Sequence, residues 1–210
     1  MKTENQRSLK TENLKTMKTS SMRFMKVMYS ISLILTILAL SSCNNNKGEK
    51  NEKKVVKVEA PALDIHSAVL LGDLKAIEQH IEAGTDLNVG DPTVGSTPLM
   101  IAAVFNRIEI ASALIMGGTD LNQTNNDGAT ALHSAAFLCR TEIVEMLIEN
   151  GADKSIVNNF GLTAAQSVAG PFESIKFVYD QFSKDLGPLG LKLDYEQLEE
   201  TRPVIAEMLK

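Results

Sequence analysis

The fold is decided by residues 126–153, which begin Asn126-Asp127-Gly128-Ala129-Thr130-Ala131-Leu132-His133-Ser134-Ala135-Ala136 and end Ile143-Val144-Glu145-Met146-Leu147-Ile148-Glu149-Asn150-Gly151-Ala152-Asp153. In both parts the apolar residues recur three and four positions apart, which is the spacing of one helical face. The stretch therefore predicts two short helices joined by a turn.

The same unit recurs along the chain. Two independent sequence markers repeat, at intervals of 34 and 33 residues for the first and 33 and 33 for the second. The first marker is Gly84-Thr85-Asp86, Gly118-Thr119-Asp120 and Gly151-Ala152-Asp153; the second is Thr97-Pro98-Leu99, Thr130-Ala131-Leu132 and Thr163-Ala164-Ala165. A fixed period of this length is the signature of a repeat architecture.

The markers also predict where the helices begin and end. Thr97, Thr130 and Thr163 stand where an N-cap hydroxyl would accept a bond from the first free amides of a helix. Gly84, Gly118 and Gly151 follow the second helices, where a left-handed terminating residue is favoured.

These residues resemble the ankyrin repeat over about residues 63 to 182, with a degraded fourth unit around Gly170-Pro171. The resemblance implies an all-α ankyrin-type helical repeat solenoid of about four units, with the repeat domain at 61–184. Such units bury their apolar faces only against their neighbours. Residues 185–210 are predicted to be a C-terminal helical cap of one or two helices, with a break before Pro203.

The N-terminal residues have the pattern of a targeting signal. Fourteen uncharged, mostly apolar residues, 27–40, follow Arg23 and Lys26, the order of a secretory signal. This stretch is shorter than the ~20 residues of a membrane-spanning helix, the alternative reading. Residues 1–42 are thus expected to be an N-terminal extension and signal peptide. The chain could start at any of four methionines: Met1, Met17, Met22 or Met25.

The segment Leu40-Ser41-Ser42-Cys43 resembles the lipobox of bacterial lipoproteins. The resemblance implies lipidation of Cys43, with acyl chains such as palmitate, and membrane anchoring. Because Asn44 is not the aspartate typical of inner-membrane retention, the outer membrane of the cell envelope is favoured, with the leaflet open. Residues 43–60 are predicted to be the lipidated cysteine and a disordered tether, or alternatively a frayed first element of the domain.

The net charge limits which classes of partner are expected. Residues 44–210 contain 14 basic and 24 acidic side chains, a net charge of −10. An acidic domain is repelled by phosphate backbones, so nucleic acid is not expected as a ligand. Cationic or neutral proteins remain as partners, reached through the concave groove, and no small-molecule substrate is expected.

No catalytic, cofactor-binding or metal-binding site is expected. The resemblance implies that His133 hydrogen-bonds the start of its helix, and His66 holds the matching position in the first unit. His80 has no partner at metal-ligand spacing. Neither a nucleophile elbow nor a phosphate loop is present in the sequence. The chain is therefore expected to be a binding module and not an enzyme.

Cys139 is the one chemically unusual position. It occupies a turn where the first unit has Gly72 and the second Asn106, residue types that tolerate positive φ. Two readings remain open: a locally shifted turn, or a thiol used in redox sensing or coupling.

Partner-binding residues follow from the resemblance, because ankyrin repeats grip ligands with their tips and with the exposed side of their first helices. A tip is the loop that precedes a first helix. The predicted binding residues are Leu70, Leu71, Val94, Val104, Phe105, Asn126, Asp127, Phe137, Leu138 and Phe160. Ordinary packing is the alternative for the first-helix positions. The predicted function is protein binding in the cell envelope, and the alternatives are an inhibitor or immunity protein and a stress-protection protein.

Overall fold

The computed structural model describes residues 59–210. The predicted signal peptide, the lipidation site Cys43 and most of the tether lie outside the described residues. Among the residues that are described, no helix combines the length and the hydropathy that spanning a membrane requires.

Nine α-helices and one short 3₁₀ helix follow one another between Ile65 and Met208. We number the α-helices α1 (Ile65–Leu71), α2 (Leu74–Glu82), α3 (Pro98–Val104), α4 (Ile108–Met116), α5 (Ala131–Phe137), α6 (Thr141–Glu149), α7 (Ala164–Val168), α8 (Phe172–Leu186) and α9 (Tyr195–Met208); the 3₁₀ helix is Gly187–Leu189. The described part of the chain contains no β-strand. The expectation of an all-α ankyrin-type solenoid is confirmed.

Three helix pairs form the regular part of the stack, with first helices α1, α3 and α5 and second helices α2, α4 and α6. The predicted caps are present: Thr97, Thr130 and Thr163 each accept a backbone N–H three residues on. Gly84, Gly118 and Gly151 have φ values of 70°, 85° and 87°.

Alanine pairs bring the first helices together. Ala102, Ala103, Ala135 and Ala136 have no solvent exposure, and they share one core with leucine and isoleucine from the second helices. Small side chains let neighbouring backbones approach closely, so each unit buries its apolar face against the next. The repeated core therefore stabilises the stack as a row of neighbours.

The Asp of the Gly-x-Asp marker organises the loop after each second helix. Asp86 and Asp120 each accept the backbone N–H two residues on, at 2.9 Å in both cases. The neighbouring loops are then joined, because the Asn88 side chain accepts the Asp120 N–H at 2.7 Å. The sequence marker is thus a loop motif that also links successive units.

Two arginines also link neighbouring units. Arg107 donates from its guanidinium to the Leu70 carbonyl at 2.8 Å, and Arg140 donates to the Val104 carbonyl at 3.2 Å. In both cases the arginine precedes a second helix and the carbonyl belongs to the preceding unit's first helix. The part-buried carbonyls at the ends of these two first helices are therefore satisfied by side chains from the next unit.

The two helices of the fourth unit are not consecutive in the chain. Its first helix, α7, is followed by the long helix α8. The helix that packs against α7, and also against α5 and α6, is α9. Helix α9 thus takes the position that a second helix would have, with Ile205 and Leu209 buried in the repeat core. The 26 residues between α7 and α9, which include α8, are an insertion into the fourth helix pair.

The C-terminal region differs from expectation in one respect. Helix α9 continues through Pro203, so the predicted break is wrong. Pro203 has no backbone N–H, so the Glu199 carbonyl loses its usual partner in the helix. Both residues are exposed, and water can bond that carbonyl. The predicted boundary between residues 184 and 185 falls within α8.

Candidate protein-binding surface

Helix α8 packs against the C-terminal ends of the first helices α3 and α5. Its residues Phe172 and Tyr179 form a second apolar cluster with Leu138, against which Val104 and Phe137 also pack. The rings of Phe137 and Tyr179 stack with centroids 4.7 Å apart. The chain therefore supplies its own helix against the C-terminal ends of these two first helices.

This packing corrects part of the predicted binding row. Leu138 is 1% exposed, so it is a core residue that a partner cannot reach. Val104 and Phe137 are half-buried against the same cluster, which gives them the packing role named as the alternative. In contrast, Leu71 is 70% exposed and Phe105 is half-buried outside both apolar clusters.

A buried polar connection secures α8. The Tyr179 hydroxyl donates to the Phe137 carbonyl at 2.6 Å, and Arg202 of α9 donates to the same hydroxyl oxygen at 2.8 Å. A second Arg202 nitrogen donates to the Gly170 carbonyl at 3.1 Å. Burial raises the pKa of Tyr179 to about 12 in spite of the opposing Arg202 charge, so the hydroxyl stays a donor.

The resemblance included residues 172–182 in a fourth ankyrin unit and did not predict where this helix lies, although its apolar face is visible in the sequence. Phe172, Ile175, Tyr179 and Phe182 are spaced three, four and three residues apart, the pattern of one helical face. The spacing alone indicates a buried face. It does not indicate which surface buries it, and an ordinary second helix would show the same pattern.

The tips are joined to one another by backbone bonds. The Asn126 N–H donates to the Val94 carbonyl at 3.0 Å, and the Asn159 N–H donates to the Asp127 carbonyl at 2.9 Å. Asn126 and Asp127, both predicted to bind the partner, are exposed and also hold the tip row together. Their binding role stays a prediction.

The last tip presents an apolar surface. Phe160 is 75% exposed, and Val157 and Leu162 beside it are 52% and 39% exposed. Val94, which stands at the position of Phe160 in the second unit, is 49% exposed. Exposed apolar groups gathered on one loop mark an interaction site more strongly than the same groups scattered singly.

The three histidines serve as structural hydrogen-bonding groups. His133 accepts the Thr130 N–H at 3.2 Å through Nδ1, and its Nε2 donates to the Leu162 carbonyl at 3.1 Å. Burial lowers the pKa of His133 and outweighs the effect of that second bond. His66 binds the Val89 carbonyl at 2.8 Å, but it is the second residue of α1, and the N-cap Asp64 there accepts the Ser67 N–H, so the expected match with His133 is wrong. His80 binds the Leu63 carbonyl at 2.8 Å and Thr85 at 3.1 Å.

Cys139 adopts the left-handed conformation, with φ 54°, as does Asn106 at the equivalent turn. The expected local shift of the turn is therefore wrong: the repeat geometry holds the cysteine where glycine would be easier. The thiol donates to the Leu198 carbonyl at 3.7 Å. Burial raises the pKa of Cys139 to about 11, against the charges of Arg202 and Arg140, so the reactive thiolate is disfavoured.

The accessible surface is strongly acidic. Residues 59–210 contain 22 acidic and nine basic side chains, a net charge of −13. Three of the nine are arginines that bond the carbonyls or the tyrosine described above, so few basic groups are left to face a partner. No cluster of residues able to hold a metal ion was found in this described part.

Helix pairs stacked in a row, with loops projecting from one edge, define a helical repeat protein of the kind that binds other proteins. Residues 65–158 match a family model described as ankyrin repeats, in three copies. This segment therefore consists of ankyrin repeats, which are protein-interaction units.

The curated relatives match only part of this chain. Human inversin is 30% identical over 77 residues, which is 37% of this chain and 7% of inversin. Mouse inversin is 32% identical over 65 residues, 31% of this chain and 6% of that protein. The similarity thus spans a small fraction of the length of these relatives.

Proposed function

We propose that this chain is a lipid-anchored ankyrin repeat protein of a bacterial cell envelope and that it holds a second protein against its tips. The ankyrin repeats support protein binding, and the lipobox-like Leu40-Ser41-Ser42-Cys43 supports the anchor. The single observation that carries the binding surface is the apolar last tip, with Phe160 75% exposed.

The position of α8 favours the tips over the middle of the first-helix side. A partner that approached the C-terminal ends of α3 and α5 would have to displace Phe172 and Tyr179, which are 8% and 0% exposed. Leu71 at the N-terminal end of that side remains free at 70% exposure. The binding surface is therefore the tip row, with the open end near Leu71 as its extension.

The binding test compares two exposed positions that differ in location. Phe160→Ser changes the last tip, whereas Met116→Ser changes an equally exposed side chain (79%) on the second helix α4. The full chain, purified in detergent, is used as bait for envelope proteins, which are quantified by mass spectrometry. A specific protein lost with Phe160→Ser and kept with Met116→Ser supports the proposal. Equal capture by both variants argues against the tip as the site.

The anchor is tested separately. Cys43→Ala is expected to abolish labelling by a palmitate analogue and to release the protein from the membrane fraction. Sucrose-gradient separation of inner and outer membranes then locates the unsubstituted protein. Labelling that persists in Cys43→Ala would contradict the anchor.

A second candidate is an inhibitor or immunity protein that blocks a basic enzyme at the membrane, favoured by the net charge of −13 in residues 59–210. Opposite charges speed association, and salt screens this effect. Once a partner is in hand, an association rate that falls at least tenfold between 20 and 300 mM salt supports this version. A salt-independent rate contradicts it.

A further inference from the structure

The tips form a row in which each later tip docks on the one before. At two positions the same contact is made: an asparagine N–H donates to a carbonyl of the preceding tip, from Asn126 to Val94 and from Asn159 to Asp127. The side chains of these asparagines lie against Gly95 and Gly128. A Cβ on either glycine would come within 2.8 Å and 2.7 Å of the asparagine Oδ1 atoms.

The last tip has the same receiving geometry without the asparagine. Phe160 and Gly161 stand where Asp127 and Gly128 stand one unit earlier, and Gly161 has the same positive φ, 78° against 71°. Within residues 59–210, no hydrogen bond reaches the Phe160 carbonyl. A Cβ on Gly161 would meet no atom within 4 Å.

We infer that this last tip binds an extended segment of a partner protein that carries an asparagine. The inference rests on the proposed protein-binding function and specifies its chemistry. The partner's asparagine N–H donates to the Phe160 carbonyl, and its side chain lies over Gly161. An adjacent apolar residue of the partner covers Phe160, Val157 and Leu162. The contact continues the tip row beyond the Phe160 tip.

The first tip of a second copy is not suited to this position. In that tip Thr93 stands where the other two tips have asparagine. Its N–H already donates to the Asp91 carboxylate at 2.9 Å, which also accepts the N–H groups of Val94 and Ser96 at 3.1 and 2.6 Å. Desolvation opposes ionisation of Asp91, but these bonds outweigh it and lower its pKa to about 2. Thr93 therefore has no free N–H to offer, and a different protein is the occupant.

The probe is a synthetic nonapeptide with this chain's own residues 155–163, Ser-Ile-Val-Asn-Asn-Phe-Gly-Leu-Thr. It contains the asparagine that docks on the preceding tip. It is titrated into the full-length ¹⁵N-labelled chain in detergent, and the amide resonances of the last tip are followed. The expected result is a saturable shift of the Phe160 and Gly161 amides, with a Kd in the millimolar range. A peptide with Asn159→Ala should bind at least fivefold more weakly.

The matched variants are Gly161→Asn and Gly84→Asn. Both glycines have positive φ, 78° and 70°, and open space at the Cβ, so the backbone strain is alike, but only Gly161 belongs to the tip. Asparagine tolerates this conformation and would fill the receiving position. Peptide binding should be lost in Gly161→Asn and kept in Gly84→Asn.

Three results would overturn the inference: no shift at the last tip up to 10 mM peptide, equal binding of the two peptides, or equal binding by the two variants. Shifts of Gly161 that depend on protein concentration without peptide would indicate a second copy and also overturn it. If a partner is captured in the binding test but the peptide fails, the protein-binding function stands and only this inference falls.

Discussion

The hydroxyl of Tyr179 donates to the carbonyl of Phe137 at 2.6 Å, in the place where the earlier units use an arginine. Arg107 and Arg140 serve the equivalent carbonyls of Leu70 and Val104. One period after Arg140 the sequence has Glu173, which cannot donate from its side chain. The inserted helix α8 therefore supplies the hydrogen bond to the last carbonyl of this series. Arg202 in turn donates to the Tyr179 hydroxyl oxygen at 2.8 Å.

Removing this hydroxyl should destabilise the fold. Tyr179→Phe leaves the Phe137 carbonyl and one Arg202 nitrogen without their partner in a buried place, which typically costs about 1–3 kcal/mol. Tyr195→Phe is the control, because Tyr195 is only half-buried and its loss should be below about 0.5 kcal/mol. Urea unfolding of both variants measures the difference. Equal losses would show that the Tyr179 bond contributes nothing of its own.

The arginine links between units should matter as much as core contacts. Arg140→Met keeps the apolar stem and removes the donor to Val104, so we expect a loss of about 1–3 kcal/mol in the free energy of unfolding. Lys75→Met removes the same charge from an exposed position on α2 and should cost about 0.5 kcal/mol or less. A similar effect of both substitutions in urea unfolding would argue that only charge is involved.

The two phenylalanines of the predicted binding row should behave differently. Phe137→Ser removes a ring that stacks on Tyr179 and lies 5.7 Å from the Phe182 ring, with an expected loss of about 2–4 kcal/mol. Phe105 lies outside both apolar clusters, and Phe105→Ser should cost about 1 kcal/mol or less. Thermal unfolding of the single variants distinguishes them. A large loss in Phe105→Ser alone would reverse this assignment.

The left-handed turns offer a simple gain in stability. Asn106 is exposed with φ 54°, and Asn106→Gly should stabilise the fold by about 0.5–1 kcal/mol through relief of strain. Cys139→Gly relieves the same strain but loses the packing of a half-buried sulfur, so its gain should be smaller. The unfolding midpoints of the two variants test the order. A larger gain in Cys139→Gly would mean that the sulfur contacts contribute nothing.

Alkaline pH should weaken the fold partly through Cys139. Its pKa rises from 9.0 to about 11 on folding, so the protonated thiol is favoured in the native state. This contribution is fully present below pH 9 and is lost as the pH rises toward 11, because only the unfolded chain ionises readily there. Cys139→Ala should therefore lose less stability than the unsubstituted protein between pH 8 and 10.5. Urea unfolding at both pH values measures the loss for each protein. The same loss of stability in Cys139→Ala and in the unsubstituted protein would contradict this account.

Local sequence patterns predicted the repeat well. The Gly-x-Asp marker and the marker that begins with threonine predicted the loops and caps, because a hydroxyl cap and a left-handed glycine act on residues only a few positions away. The conformation of Cys139 was missed because cysteine rarely adopts positive φ, and here the surrounding repeat imposes it.

By itself, the sequence determined the helix pairs, their period and their order in the stack, because these depend on local caps and on apolar faces that only identical neighbours can bury. The tertiary structure decided which surfaces remain free. Whether Phe137 and Leu138 meet solvent depends on where α8 lies, some 40 residues further along the chain, and that position is set by contacts that no local spacing encodes. The same holds for the last tip of residues 59–210: α9 packs against α5, α6 and α7 and leaves Phe160 exposed.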